Sequence, residues 1–315
     1  MSILKREVVV VGGGLAGRAA ALGFAAAGID TVLIAPQAPR DARSTAVMGQ
    51  GLDMLLDLGL GEILERRGQP LTTMRIVDDT GRLLRAPTTE FRAGEIDRSS
   101  FGVNILNADL ADALDERIEV HSPHLTIVRS AAIDLRADAE GVEIDTADGT
   151  TVRASLSVGA DGRNSLVRER SGISSRTWRY DQKAIVLNFR HERDHDGIST
   201  EFHTRTGPFT QVPLPGRRSS LVWVEEPEVA DVVNGLPPQR IAEMVETRLH
   251  SILGAVEIEP DRRAQRHERR IGRDRAFGAD RHTQGAERPI AGQLTEEHPA
   301  AVLTHQRAAL GRVLA

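Results

Sequence analysis

The feature that most constrains this chain is an apolar run that ends in a glycine turn near the N-terminus. The valines of Val8–Val11 predict a short buried strand, and an alanine-rich helix follows the glycines. The spacing is Gly12-x-Gly14-x-x-Gly17. The first glycine permits a tight turn, the second lets the backbone approach a pyrophosphate, and the third lets the helix pack against the strand. Between a strand and a helix, this pattern predicts a dinucleotide-binding turn at a helix N-terminus.

Composition narrows the class of protein. The 315 residues are enough for two domains, and 40% hydrophobic and 27% charged residues are typical of a globular protein. A net charge of −5 and 3% aromatic residues argue against nucleic acid as a partner. The chain has no cysteine, which excludes disulfides, thiolate catalysis and iron–sulfur clusters and suits a reducing cytoplasm. We therefore expect a soluble, cytoplasmic protein without a membrane-spanning segment.

The residues after the turn complete a predicted β-α-β unit. A helix over Leu15–Ala27 ends at Gly28, and a strand covers Thr31–Ile34. A dinucleotide fold commonly ends this second strand with an acidic residue that binds ribose hydroxyls. Here the position is Ala35. Either other groups hold the ribose, or the glycine pattern is a chance likeness.

Local patterns predict the elements of the later chain. A helix is expected over Ala46–Leu58, a hairpin joins Met74–Asp78 to Arg82–Arg85, and Asn107 is placed to cap a helix. The remaining predicted elements are strands at Leu125–Val128, Ile133–Leu135, Val142–Ile144, Val152–Ala154, Ala184–Phe189, Glu201–Thr204, Phe209–Pro213 and Ser220–Val224, and a helix at Gln239–Leu253.

A second strand–glycine–helix junction follows at residues 156–168. It contains Gly159-Ala160-Asp161-Gly162, and Asn164 or Ser165 is placed near the helix cap. Arg163 and Arg168 lie where anions would bind at such a junction. An ordinary Asp-Gly turn remains the alternative. The polar loop at 40–45 leaves the same choice open, because Arg40 and Arg43 are either phosphate contacts or solvated side chains.

These motifs together resemble one protein family. The glycine turn, the 159–162 motif and the segment 207–215 follow one another at the intervals of class A flavin monooxygenases with the p-hydroxybenzoate hydroxylase fold. Segments 41–46, 101–107 and 220–223 are most similar to the UbiH/UbiF-type ubiquinone-biosynthesis hydroxylases. The resemblance covers about residues 6–260. It implies an α/β fold in which a Rossmann-like FAD-binding domain is interleaved with an antiparallel-sheet substrate domain.

The resemblance also implies cofactor contacts. Gly12, Gly14 and Gly17 would cradle the FAD pyrophosphate, with Leu15 and Ala16 as further contacts between them. Arg43 and Asn107 would contact the cofactor from a loop and from a helix start. Asp161 and Gly162 would belong to a motif that serves both FAD and NAD(P)H. No catalytic residue and no metal ligand is assigned, because the cofactor carries the chemistry.

The implied reaction is FAD- and NAD(P)H-dependent hydroxylation of a prenylated phenol through a flavin hydroperoxide, in ubiquinone biosynthesis. The expected partners are the lipophilic phenol and O2. By analogy, the protein would associate with ubiquinone-pathway proteins or with the inner face of the membrane. The alternatives are an inactive or truncated family member with impaired FAD binding and an NAD-dependent dehydrogenase, which Ala35 and the second motif disfavour.

The expected domains are discontinuous. Residues 1–70 and 100–177 would form the FAD-binding domain, and 71–99 with 178–260 the substrate domain. In residues 261–315 the apolar periodicity is lost, which predicts a poorly packed or disordered segment. The family's third motif, an apolar strand leading into Gly-Asp, is not recognised there. We interpret this segment as an out-of-frame or replaced C-terminus, and the spacing of its histidines fits no metal motif.

Overall fold

The computed structural model describes residues 3–120, 123–260 and 263–272. The chain divides into two compact units, one taking in residues 1–37 and 121–177, the other 38–120 and 178–269. Residues 38–120 cluster as one segment of the second unit. The division of the chain into domains at residues 70, 100 and 177 stays a prediction.

The elements follow one another as a mixed α/β chain. In order they are β1 (Ile3–Val11), α1 (Leu15–Ala26), β2 (Thr31–Ile34), β3 (Ser44–Met48), α2 (Gly49–Asp57), α3 (Gly61–Arg67), β4 (Gln69–Leu71), β5 (Thr73–Asp78), β6 (Thr89–Arg92), a short 3-10 helix (Ala93–Ile96), β7 (Gly102–Leu106), α4 (Asn107–Val120), β8 (Leu125–Val128), β9 (Ala132–Ala137), β10 (Val142–Thr146), β11 (Thr151–Gly159), α5 (Leu166–Arg170), β12 (Ser175–His191), β13 (Ile198–His203), β14 (Pro208–Leu214), β15 (Arg218–Glu225), α6 (Pro227–Gly235), α7 (Pro238–Arg248), β16 (Val256–Ile258) and β17 (Arg263–Gly272).

The first unit is built on a six-stranded sheet in the order β8-β2-β1-β11-β10-β9. Strands β8, β2, β1 and β11 run parallel, and β10 and β9 continue antiparallel. β1 is central because Val8–Val11 is buried at every position, as expected for a strand covered on both faces. Val11 is paired with Gly159 at the carboxyl end of β11. The two glycine motifs therefore leave the sheet from neighbouring strands at the same edge.

Helix α1 completes the predicted β-α-β unit. Its small residues bury one face, which includes Ala21 and Leu22. Ala27 caps its C-terminus and Gly28 follows with a φ of +76°, a conformation that favours glycine. Strand β2 covers Thr31–Ile34 as predicted. The local signals here agree with the tertiary structure, so the sequence was sufficient.

The second unit contains an eight-stranded sheet and a three-stranded sheet. The large sheet has the order β16-β12-β15-β14-β13-β5-β6, and β17 also pairs with β12. β13 and β5 are parallel, while the pairs around them are antiparallel. The small sheet has the order β3-β7-β4. The predicted antiparallel sheet is thus present, with one parallel pair inside it.

Helix α7 packs on the large sheet through an apolar face and a buried ion pair. Ile241 and Val245 belong to the same core as Trp223. Glu225 is buried and accepts a hydrogen bond from the Arg248 guanidinium at 2.6 Å. The same carboxylate accepts the Trp223 indole N–H at 3.2 Å, and the guanidinium lies 4.6 Å from the Trp223 ring centroid. A charge buried in this way needs such partners to be tolerated.

Two local predictions are wrong, for tertiary reasons. Residues 44–48 form strand β3 rather than the start of a helix over Ala46–Leu58, because β3 pairs with β7 and places Thr45 opposite Ile105. The hairpin after β5 closes with β6, at Ile76 opposite Thr89, and not with Arg82–Arg85. Neither pairing partner is visible in the local sequence pattern.

Two further segments differ from expectation. Residues 151–159 form one nine-residue strand where two strands were predicted. Strand β17 occupies residues 263–272, where the sequence predicted no element. The rest of the tail hypothesis, for residues 273–315, falls outside the described residues. None of the helices in the described ranges is both long and apolar enough to cross a bilayer.

Candidate functional site

The glycine turn after β1 is closed by close backbone packing. Gly12 has a φ of +123°, and its N–H donates to the Ile34 carbonyl at 2.9 Å. A Cβ on Gly12 would lie 2.1 Å from the Ala160 carbonyl oxygen. A Cβ on Gly17 would lie 1.8 Å from the Gly12 carbonyl oxygen. Both positions therefore require glycine, as expected for a tight turn at Gly12 and close packing of the helix at Gly17.

Gly14 is different, because a Cβ there would meet nothing within 4 Å. It is exposed, has a φ of −75° and is the N-cap of α1. No side chain of the described residues caps the helix, and its first turn contains no acidic residue. Leu15 is half-buried and Ala16 is exposed at the start of the helix. The fold thus demands no glycine at position 14, whereas a ligand that approaches the backbone would.

The open N-terminus of α1 fits a pyrophosphate. The first backbone N–H groups of a helix lack intrahelical partners, and the helix dipole adds a partial positive charge there. Both features favour a phosphate group. The adjacent Ala35 is buried, and its N–H donates to the Val128 carbonyl at 2.9 Å. It offers no side chain for a ribose, so the departure noted in the sequence is present in the structure.

At the second junction, after β11, side chains bind the first N–H groups of the helix. Ser165 is the N-cap of α5, as predicted, and its hydroxyl accepts the Arg168 N–H at 3.0 Å. The Asp161 carboxylate accepts the Val167 N–H at 3.2 Å through Oδ2. The first N–H groups of this five-residue helix are therefore taken by the chain's own side chains. The Arg168 guanidinium donates to the Arg163 carbonyl at 2.8 Å.

Asp161 nevertheless has an unused acceptor. Its Oδ1 is buried and has no hydrogen-bond partner among the described residues. A buried carboxylate oxygen without a donor is costly, so this oxygen is a candidate acceptor for a ligand. Gly162 beside it is exposed, with a φ of +81° and open space at its Cβ position. A ligand hydroxyl fits this acceptor, so the residues present are compatible with a ribose- or ribityl-bearing cofactor.

In the second unit, Arg43 and Asn107 meet on the carboxylate of Asp41. Arg43 donates to Asp41 from Nε at 2.9 Å and from Nη2 at 2.7 Å. Asn107 donates from Nδ2 to Oδ2 at 2.8 Å, and its own oxygen accepts the Thr45 hydroxyl at 2.5 Å. Helix α4 begins at Asn107 itself. The prediction that Asn107 caps this helix is wrong, because both ends of its amide bind side chains.

The electrostatics of this cluster stabilise the ion pair. The hydrogen bonds from Arg43, with a smaller contribution from Asn107, outweigh burial and hold the pKa of Asp41 well below its usual range. The hydrogen bonds to Asp41 raise the pKa of Arg43 in turn. The backbone adds rigidity, since the Asn107 N–H donates to the Arg43 carbonyl at 2.8 Å. Asp41 and Thr45 were not among the predicted site residues, although the acid–x–arginine spacing at 41–43 is a usable signal.

The predicted site residues thus form two groups. Gly12, Gly14, Leu15, Ala16, Gly17, Asp161 and Gly162 lie in the first unit, at the ends of the neighbouring strands β1 and β11. Arg43 and Asn107 lie in the second unit, joined through Asp41.

The chain is similar in sequence to known hydroxylases. Ubiquinone hydroxylase UbiL of Rhodospirillum rubrum is 36% identical over 258 residues, which cover 79% of this chain and 59% of the relative. The 3-demethoxyubiquinol 3-hydroxylase of Escherichia coli is 29% identical over 232 residues, or 70% of this chain and 58% of the relative. The chain therefore spans a little under three fifths of the length of these relatives.

Solved structures show the same fold. The crystal structure of p-nitrophenol 4-monooxygenase PnpA from Pseudomonas putida matches with a TM-score of 0.65 and 17% sequence identity. The match covers 86% of this chain and 69% of that protein. The family model described as FAD binding domain matches residues 5–285, further than the end near 260 expected from the motifs. The resemblance to FAD-dependent monooxygenases with the p-hydroxybenzoate hydroxylase fold is confirmed. The chain belongs to the FAD binding domain family.

Proposed function

We propose that this chain acts as an FAD-dependent monooxygenase that hydroxylates a prenylated phenol in ubiquinone biosynthesis, with NAD(P)H as reductant. The names of its relatives, a ubiquinone hydroxylase and a 3-demethoxyubiquinol 3-hydroxylase, support the substrate class. The family match supports FAD as the cofactor. FAD, when bound, supplies the redox and oxygen chemistry, and the protein contributes binding and orientation.

The observation that carries the proposal is the open N-terminus of α1. Gly12 and Gly17 are required by packing, but Gly14 faces open space and is required by nothing in the described residues. A helix start that is free of side-chain caps and built on a buried strand is suited to the pyrophosphate of a dinucleotide. Leu15 and Ala16 follow at the same helix start.

The other residues have proposed roles that follow from their contacts. Asp161 would accept a cofactor hydroxyl at its unused Oδ1, and the exposed Gly162 would leave room beside it. Arg43, held in place by Asp41, would present a fixed guanidinium to the cofactor, and Asn107 would hold that ion pair in position. Hydrogen bonds that an arginine donates to a carboxylate restrict its side chain to one geometry, which lowers the entropy lost on binding.

The partners follow from the proposed substrate. A prenylated phenol is lipophilic, so it would be taken from a membrane or from another protein of the pathway, and O2 would be the second substrate. Peripheral association with the inner face of the membrane, or with a ubiquinone-pathway complex, is part of this proposal.

The test compares two glycines of the same helix, both with open space at the Cβ position, in G14A and G23A variants. Gly14→Ala should weaken FAD binding by about tenfold, because a methyl group moves a phosphate away from N–H donors worth about 1.5–3 kcal/mol each. Gly23→Ala should leave FAD binding unchanged. Both affinities are measured by flavin fluorescence, alongside thermal melting.

The outcome distinguishes the alternatives. The wild-type chain should purify yellow and oxidise NAD(P)H faster when a prenylated phenol is present. A colourless chain that remains unliganded at saturating FAD would contradict the proposal and support a family member with impaired FAD binding. Equal FAD affinities for the Gly14→Ala and Gly23→Ala variants would contradict the assignment of the pyrophosphate to this turn.

A further inference from the structure

The loop between β5 and β6, residues 79–88, exposes two adjacent leucines. Leu83 is 100% exposed and Leu84 is 88% exposed, the two highest values among the large apolar side chains described. Arg82 and Arg85 flank them and are exposed as well. Single exposed leucines are common on protein surfaces, but an adjacent pair this exposed at the tip of a loop, within the part of the chain that the structure describes, is typical of an interaction site.

This loop is held in shape by the Asp78 carboxylate at its base. Oδ1 accepts the Thr80 N–H at 3.1 Å and the Thr80 hydroxyl at 2.7 Å. Oδ2 accepts the Ala86 N–H at 2.9 Å, from the other end of the loop. These hydrogen bonds lower the pKa of Asp78 to about 2, so the carboxylate remains charged at neutral pH. Both ends of the loop are thereby tied to one side chain.

Neighbouring strands and loops fix the base from outside. The Arg205 guanidinium donates from Nε to the Thr80 carbonyl at 2.7 Å. Asp79, the acidic residue of the loop, lies 3.2 Å from the His250 ring nitrogen. The polar groups at the base are therefore engaged, and the tip offers two leucines between two arginines. Residues 79–88 carry two arginines and one aspartate, on a chain whose net charge is −5.

We propose that the 79–88 loop docks on an anionic lipid surface, with Leu83 and Leu84 inserted among the acyl chains and Arg82 and Arg85 at the phosphate level. Leucines at the tip bury their apolar surface in the bilayer, while flanking arginines extend to the phosphates. Basic side chains are attracted to anionic headgroups. A protein partner would also bind leucines, but the paired arginines favour the lipid.

The role of docking rests on the proposed function: a prenylated phenol dissolves in the bilayer, so docking would bring the protein to its substrate. The docking itself is tested without substrate or turnover. Vesicles of phosphatidylcholine, with or without phosphatidylglycerol, are sedimented with the full chain at low and high salt. The wild-type chain should bind the vesicles that contain phosphatidylglycerol, and salt should weaken the binding.

Two double variants test separately the insertion of the leucines and the attraction of the arginines to phosphate. Leu83→Ala with Leu84→Ala should weaken vesicle binding by about tenfold or more, since each buried CH₂ contributes to membrane affinity. Arg82→Gln with Arg85→Gln should weaken it by about thirtyfold on anionic vesicles, which corresponds to about 1 kcal/mol per arginine. The matched control is Val229→Ala with Val232→Ala on α6, a pair that is 40% and 66% exposed and should leave binding unchanged.

Several results would overturn the proposal. They are a wild-type chain that binds no vesicles, a leucine variant that binds as tightly as wild type, and a valine control that loses binding equally. Self-association that the leucine variant abolishes, without vesicle binding, would identify the loop as a protein contact instead. FAD content is measured on the same samples, so a colourless chain that still docks contradicts the proposed function and leaves the docking site standing.

Discussion

The two strand–glycine–helix junctions of the first unit look alike in sequence and differ in structure. β1 leads into α1, a twelve-residue helix whose N-cap is Gly14 and which has no side-chain cap among the described residues. β11 leads into α5, a five-residue helix capped by Ser165 and contacted by Asp161. The strands are parallel neighbours, so both junctions lie at the same edge of the sheet.

The difference shows which junction is available to an anion. A helix start whose N–H groups are bound by serine and aspartate has little left to offer a phosphate. A helix start built on glycine keeps these groups free and adds a longer helix behind them. Arg163 and Arg168 made the second junction resemble an anion site in sequence. Its side-chain caps instead make it a rigid support that presents the unused oxygen of Asp161.

The largest effect is expected where the first junction depends on packing. Gly17→Ala would place a Cβ 1.8 Å from the Gly12 carbonyl oxygen, so the helix must move away from the turn. We expect a loss of about 3 kcal/mol in the free energy of unfolding. Urea denaturation measures it, and Gly23→Ala in the same helix should be neutral or stabilising. A Gly17→Ala variant of wild-type stability would refute the close packing at this turn.

The next largest effect is expected for a substitution that gives the first junction a side-chain cap like that of the second. Gly14→Asp introduces a carboxylate at an N-cap with extended backbone and open space, so the helix gains a cap of its own. Thermal stability should be unchanged or slightly raised. FAD affinity should fall by about 100-fold, because the carboxylate occupies donors worth about 1.5–3 kcal/mol each and repels phosphate. Retention of FAD by this variant would place the pyrophosphate elsewhere.

A smaller effect is expected at Asp161. Asp161→Ala removes the acceptor for the Val167 N–H and the unused Oδ1 together, and should cost about 1.5 kcal/mol of stability. FAD affinity should also fall, whereas a purely structural aspartate would leave the affinity of the folded fraction unchanged. Melting curves with and without FAD separate the two roles, since bound ligand raises the melting temperature.

The smallest effect is expected at the cap of α5. Ser165→Ala leaves the Arg168 N–H without its side-chain acceptor and should cost about 1 kcal/mol. FAD affinity should not change, because Ser165 is buried and its hydroxyl is already engaged. Ser165→Asp should restore stability, as aspartate is an equally good cap. If Ser165→Ala weakened FAD binding as strongly as Gly14→Asp, the two junctions would not differ in the way described.

The sequence was a good guide where local and tertiary preferences agree. Strands β2 and β8 have the predicted bounds, and α1 differs by one residue at its end. It was a poor guide where a distant partner decides. Ser44–Met48 is a strand only because β7 lies beside it. A short turn was predicted between Met74–Asp78 and Arg82–Arg85, but the Asp78 carboxylate closes a longer loop.

The local geometry of the candidate site was likewise predictable only where it depends on nearby residues. The glycine spacing identified Gly12 and Gly17 because each excludes a Cβ for reasons that depend on local geometry. Asp41 was missed as the link between Arg43 and Asn107, since that contact joins residues 66 apart in the chain. Asn107 was assigned a capping role from its place before a helix, and the side chains around it decided otherwise.

What the sequence by itself determined is the family, the β-α-β unit and the glycine turn between its first strand and helix, because these depend on residue type and spacing along a short stretch of chain. What only the tertiary structure decided is which helix start stays open, how Arg43 is held and where leucines face solvent. Those properties depend on side chains brought together from distant segments, whose contacts are set by packing and hydrogen bonding rather than by local preference.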